Sequence, residues 1–179
     1  MIIFMGVAGS GKSVQGRRLA DELGLPWLST GEFLRMLISG ERRKAMVQGE
    51  LLGDAEIIEL VQKIFSLINS KEEFILDGFP RTPEQADWLL SQVRHKQLNV
   101  TAVIHIKASA EVVTSRLLSR GRPDDTREAL QQRFDEYEKA IRPIISEMKA
   151  AQVPVFDING EGDIEVVHDE ILGTLKTVL

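Results

Sequence analysis

Apolar residues along the chain fall into short unbroken runs separated by longer stretches of helical periodicity. Ile2 to Met5 is wholly apolar and is closed by Gly6, which suits a strand buried on both faces. Phe74-Ile75-Leu76, ending at Asp77, gives a second strand signal, Val100 to Ile106 a third and Val153 to Ile158 a fourth; Trp27-Leu28 adds a shorter one. Lys12 to Leu23 reads as a helix stopped by Gly24 and Pro26. Ile57, Val61, Ile64 and Ile68, flanked by Ile58 and Phe65, recur at helical spacing, as do Leu130, Phe134, Tyr137, Ile141, Ile145 and Met148. Pro143 should kink that second helix. Ile164 to Leu179 carries a weaker helical pattern.

Strands alternating with helices predict βαβ units: an α/β fold with a central parallel sheet of about five strands between helical layers. Ligands of such sheets bind beyond the C-terminal strand ends. Residues 30 to 70 form a long helical insertion between strand signals, suited to a mobile flap, and Arg120-Gly121-Arg122-Pro123-Asp124-Asp125 is the most loop-like stretch of the second half. With no repeat or flexible linker, the 179 residues read as a single domain.

Composition narrows the function. There are 22 Lys and Arg against 27 Asp and Glu, a net charge of −5, without the basic footprint of a general nucleic-acid binder. Small polyanions stay possible where arginines converge. The absence of cysteine excludes disulfides, thiolate zinc sites and cysteine nucleophiles. No apolar run approaches the roughly 18 residues of a membrane span, and the N-terminus lacks a signal-peptide pattern. The expectation is a cytoplasmic protein, away from membranes.

The chemistry starts at Gly6-Val7-Ala8-Gly9-Ser10-Gly11-Lys12-Ser13, which fits the P-loop pattern G-x-x-x-x-G-K-[ST] in its required place, after a strand and opening a helix. Glycines let consecutive N–H groups point at a phosphate, helped by the helix N-terminus. Lys12 adds charge toward the β/γ-phosphates, and Ser13 offers a hydroxyl to Mg²⁺. Asp77, at the end of its strand, can hold Mg²⁺ through water, or can be a turn aspartate before Gly78. Thr82-Pro83-Glu84-Gln85 reads equally as a capping box; Ser29 with Glu32 and Asp125 with Glu128 fit the same template. Arg133 lies about 60° around its helix from Leu130, so it leans toward the apolar face and needs an anion. Arg116 and Arg120 share a face. His95, His105 and His168 lack metal-ligand spacing, and Trp27, Trp88 and Tyr137 read as packing.

In order along the chain, GVAGSGKS is followed by LSTGEFLR (Leu28 to Arg35), GELLGD (Gly49 to Asp54), LDGFPRTPEQAD (Leu76 to Asp87), RLLSRGRPDD (Arg116 to Asp125) and Arg133. Over nearly its whole length the chain thereby resembles the adenylate kinase family in its short-lid form. The resemblance implies a P-loop kinase domain with a nucleoside-monophosphate-binding insertion at about residues 30–59 and a very short lid at about 120–127. It implies ATP on Gly9, Ser10, Gly11, Lys12, Ser13, Val14 and Arg120, with the base near Gly160-Glu161-Gly162. AMP would lie on Thr30, Arg35, Glu50, Leu51, Leu52, Gly78, Phe79, Pro80, Arg81 and Gln85, with Arg122 and Arg133 bridging the transferring group. Thr30 and Gln85 go with adenine in that family. This chain departs from the family pattern at Ala8, where proline is usual, and at Ser13-Val14, where Gly-Thr is usual. Its loop between Arg120 and Arg122 is a single residue.

An AMP phosphate is already ionised, so transfer to it needs alignment and positive charge rather than a strong base. Lys12, Arg35, Arg81, Arg120, Arg122 and Arg133 suit that task, with Lys12, Arg81, Arg122 and Arg133 as the catalytic set. The expected reaction is ATP + AMP to 2 ADP with Mg²⁺, by a monomer without structural zinc. Rival readings are a kinase of the same fold acting on UMP, CMP or another small acceptor, and a nucleotide-binding sensor or assembly factor that turns over slowly.

Overall fold

In the computed structural model, residues 1–37, 39–40, 52–121 and 126–178 are described, the side chains of Arg120, Ala129 and Arg133 excepted. Five strands form one parallel sheet: β1 (Ile2–Met5), β2 (Trp27–Ser29), β3 (Ile75–Asp77), β4 (Ala102–Lys107) and β5 (Val155–Asn159), in the spatial order β2-β3-β1-β4-β5. The helices among the described residues are α1 (Lys12–Leu23), α2 (Thr30–Leu37), α3 (Asp54–Phe65), α4 (Pro83–Arg94), α5 (Ala110–Arg120), α6 (Arg127–Ala150) and α7 (Ile164–Leu175). β1 spans the expected residues, Trp27-Leu28 is a strand extended to Ser29, and the limits of β3, β4 and β5 move by one or two residues.

The unbroken apolar run of β1 has its cause in the sheet centre. Its side chains alternate: Ile3 and Met5 enter a core shared with α3, α4 and α6, while Ile2 and Phe4 enter another shared with α1 and α7. A strand with cores on both faces has no position for a polar side chain. Phe65 and Phe74 meet edge-on in the first core, with ring centroids 5.4 Å apart. α6 remains one helix through Pro143, with Ile141, Ile144 and Met148 buried.

This arrangement places the site. β1 leads into α1 on one face, whereas its neighbour β3 leads into α4 on the other. The two connections part company, and a crevice opens beyond the C-terminal strand ends. Register puts Asp77 opposite Phe4 on β1 and opposite Ser29 on β2. The last residue of β3 therefore stands between the P-loop and the start of α2.

Candidate active site

Gly6 ends β1 at a φ of +155°, and a Cβ there would come within 2.5 Å of Ser10 Oγ and 2.6 Å of the Ile106 carbonyl. Only glycine lets the chain turn so close beneath its own loop. Ser10 N–H donates to the Val7 carbonyl at 3.1 Å, and Lys12 Nζ donates to the same carbonyl at 3.4 Å, so the lysine curls back over the loop. α1 then begins with its N-cap at Gly11 and no side-chain cap, leaving its first N–H groups directed at the crevice.

Ser13 donates to Asp77 Oδ2 at 2.6 Å. The hydroxyl is thus spent on a carboxylate, not on capping α1. Asp77 is 1% exposed, and its other oxygen, Oδ1, has no hydrogen-bond partner. A buried carboxylate oxygen without a donor is costly unless something else meets it. A hydroxyl beside a carboxylate is a hard oxygen set of the kind that holds Mg²⁺, so these residues fit the ion implied by the P-loop. The Val14 side chain has no polar atom to offer, and the residue is 52% exposed.

Across the crevice, Thr30 Oγ1 lies 2.9 Å from the Gly78 carbonyl and 3.2 Å from that of Asp77, tying the start of α2 to the end of β3. Arg81 Nε donates to the Gly78 carbonyl at 2.8 Å. A Cβ on Gly31 would lie 3.6 Å from Arg35 Nη1 and 3.6 Å from Arg81 Nη2. Two guanidinium groups therefore converge over one stretch of backbone, and such a pair favours an anion between them. Phe79 is fully buried and stacks edge-on against Trp88.

Thr82 caps α4, its Oγ1 accepting from Gln85 N at 3.3 Å. Gln85 departs from the simple capping box. Its Oε1 accepts from Arg81 N at 2.8 Å, one residue before the cap, and its Nε2 donates to Asp54 Oδ1 at 2.7 Å. Ser29 ends β2 directly before Thr30, the first residue of α2, and Glu32 accepts from Arg17 at 3.2 Å.

Several contributors have only weak sequence signals. Arg116 donates to the Gly160 carbonyl at 2.8 Å and reaches the Gly9 carbonyl at 3.5 Å, clamping the P-loop to the turn after β5. Its spacing from Arg120 is the only hint of this. Gly160 lies so close under the loop that a Cβ would be 2.6 Å from the Ser10 carbonyl. Ser109 N–H donates to Glu161 Oε1 at 2.7 Å, which holds that carboxyl below the usual carboxylate range. Gly162 belongs to the same turn, leading into α7.

The histidines are structural. His168, 1% exposed, bridges Gln15 on α1 and Glu22, and His105 joins Asp157 on β5 to Tyr137 on α6. Burial pushes the His105 imidazole below its usual range, against the pull of Asp157.

The structure brings together Gly9, Ser10, Gly11, Lys12, Ser13, Asp77, Thr30, Arg35, Gly78, Phe79, Pro80, Arg81 and Gln85 at one end of the sheet. Leu52 lies just before α3. Glu50, Leu51, Arg122 and Asp125 lie outside the described residues. Of Arg120 and Arg133, only the backbones, in α5 and α6, are described.

A P-loop on β1, a carboxylate closing β3 and paired arginines across the crevice define a phosphotransferase of the nucleoside monophosphate kinase type. The family model for adenylate kinase matches residues 4–153. Among similar proteins, the adenylate kinase of Corynebacterium urealyticum is 32% identical, with 97% of this chain and 98% of that protein covered. Adenylate kinase 1 of a Nostoc species is 35% identical with 97% of each covered, and the Prochlorococcus marinus adenylate kinase is 34% identical with 99% and 98% covered. The chain belongs to the adenylate kinase family.

Proposed function

We propose that the crevice between β1 and β3 catalyses reversible transfer of the γ-phosphoryl group of ATP to AMP, giving two ADP. The bond from the γ-phosphorus to the ADP oxygen breaks as one forms to an AMP phosphate oxygen, and no proton need move. The observation that carries this reading is the pairing of Ser13 with buried Asp77 at the P-loop, facing the converged Arg35 and Arg81.

ATP lies along Gly9 to Val14 and Arg120, with Lys12 on its β/γ-phosphates and its base near the turn at Gly160 to Gly162. Ser13 and Asp77 would hold the accompanying Mg²⁺. The chemistry it would supply there is neutralisation of phosphate charge. Arg35 and Arg81 grip the AMP phosphate, while Thr30, residues 50–52, Gly78 to Pro80 and Gln85 surround the rest of the nucleotide. Arg122 and Arg133 are assigned to the transferring group on the family pattern, and positive charge on several sides suits a loose, charge-spread transition state. Residues 30–59 form the acceptor-binding insertion and 120–127 the lid.

The test is a steady-state assay with Mg-ATP and AMP, UMP, CMP and GMP in turn. AMP should give the highest kcat/KM. A pyrimidine monophosphate turned over as well as AMP would move the chain to another acceptor, and nucleotide binding without turnover would make it a sensor.

A further inference from the structure

The adenine-facing assignment of Gln85 leaves open what makes a carboxamide selective. An amide is nearly symmetric in shape, and a turn of 180° about its last bond exchanges donor and acceptor. In this protein that turn is blocked from both sides. The Arg81 backbone N–H, which can only donate, meets Oε1 at 2.8 Å, and the Asp54 carboxylate, which accepts, meets Nε2 at 2.7 Å. The same carboxylate oxygen accepts from Thr82 Oγ1 at 2.8 Å, and Thr82 in turn accepts from Gln85 N. The circuit has one consistent direction. Reversing the amide would set Nε2 against an N–H and Oε1 against a carboxylate.

Gln85 is 3% exposed, so a mismatch there would not be relieved by water. Its two partners leave one N–H and one lone pair on the amide. A donor beside an acceptor in fixed order complements the amino group and adjacent ring nitrogen of adenine. It does not complement a 6-oxo purine, whose exocyclic oxygen would face the remaining lone pair.

We infer that Asp54, at the first position of α3, is a specificity-determining positioning residue: it locks the Gln85 amide so that the acceptor site takes 6-amino over 6-oxo purine monophosphates. This rests on the reading of Gln85 as a contact to the acceptor base. Because Asp54 starts α3, it also ties selection of the base to the helix that closes the acceptor-binding insertion.

The experiment compares kcat/KM for AMP and for IMP in wild type, Asp54→Ala, Asp54→Ser, Asp54→Asn and Gln85→Ala, with Tm recorded for each. The alanine and serine variants free Nε2, because serine is too short to span the contact. Whichever of them folds should lower the AMP-to-IMP ratio roughly tenfold, the scale set by one buried hydrogen bond to a charged group. The change should lie in acceptor KM, with KM for ATP unaltered. Asparagine keeps an oxygen for both donors and should hold the ratio within about threefold of wild type. A ratio unmoved by Asp54→Ala or Asp54→Ser but lowered by Gln85→Ala overturns the role of Asp54 and leaves Gln85 on the base. A ratio unmoved by Gln85→Ala removes the base contact itself, and the role of Asp54 falls with it.

Discussion

Replacing Ser13 by alanine removes one oxygen and leaves the helix register intact, so its consequences isolate the contact with Asp77. The Oγ–Oδ2 separation of 2.6 Å is that of a charge-assisted O–H···O⁻ bond. Such bonds contribute about 1.5–3 kcal/mol, and the loss is greatest where the abandoned group is buried. Asp77 is 1% exposed and Oδ1 already lacks a partner, so the upper part of that range applies, about 2–3 kcal/mol. In a domain of this size each kcal/mol moves Tm by roughly 2–4 °C, giving a fall of about 5–10 °C. Loss of a simple helix cap would cost only about 1 kcal/mol.

The second readout is functional. If the hydroxyl and carboxylate hold Mg²⁺ together, the Mg²⁺ concentration for half-maximal turnover should rise several-fold in Ser13→Ala, and Asp77→Asn should raise it too. Thermal unfolding of the two single variants and the double variant gives the coupling, expected to be about 1.5–3 kcal/mol and not the few tenths found for independent sites. An unaltered Mg²⁺ dependence with a lowered Tm would make the bond purely structural. Additive stabilities would refute the contact altogether.

Lys12→Ala should lower kcat by about two to three orders of magnitude, the usual cost of one transition-state donor, with an unchanged circular dichroism spectrum; wild-type turnover would remove the P-loop from the mechanism. Gly160→Ala places a methyl 2.4 Å from Ile106 Cγ2 and 2.6 Å from the Ser10 carbonyl. It should cost about 1–3 kcal/mol by overpacking and raise KM for ATP, and unchanged values of both would contradict the close approach. Burial lowers the His105 pKa, so below about pH 6.5 the unfolded chain binds the proton more readily. That contribution to stability is present at neutral pH and is lost as pH falls through the unfolded value toward the folded one. Tm measured from pH 7.5 to 5.5 should therefore fall less steeply in His105→Asn, and equal slopes would count against it. With no cysteine in the chain, EDTA should leave Tm unchanged apart from effects on turnover, and a large fall would reveal a structural metal.

The local signals in the chain were unusually direct for the fold. Unbroken apolar runs marked strands with cores on both faces, and Gly24 and Pro26 marked the stop of α1. Shifts of a residue or two at β3, β4 and β5 have a simple origin: strand limits are set by pairing with neighbours, which hydrophobicity does not encode. α6 continues through Pro143, where burial of Ile141, Ile144 and Met148 supports the turns on both sides of the proline. The P-loop was legible because its chemistry depends on consecutive residues.

What only the tertiary structure decided are the contacts between residues far apart in sequence. Ser13 reads from sequence as a hydroxyl of the P-loop, and only the fold brings it to Asp77, 64 residues on, which accepts its hydrogen bond. Gln85 fits both a capping role and a base contact, and the Arg81 N–H together with Asp54 from α3 fixes which end of its amide is which. From sequence Arg116 shares a helix face with Arg120 and nothing more; in the fold it joins the P-loop to the turn after β5. A sequence determines helices, strands and compact motifs because those follow from neighbouring residues. The direction of a hydrogen bond between distant side chains follows from how the sheet and its helices pack, and that decided which polar groups became a site.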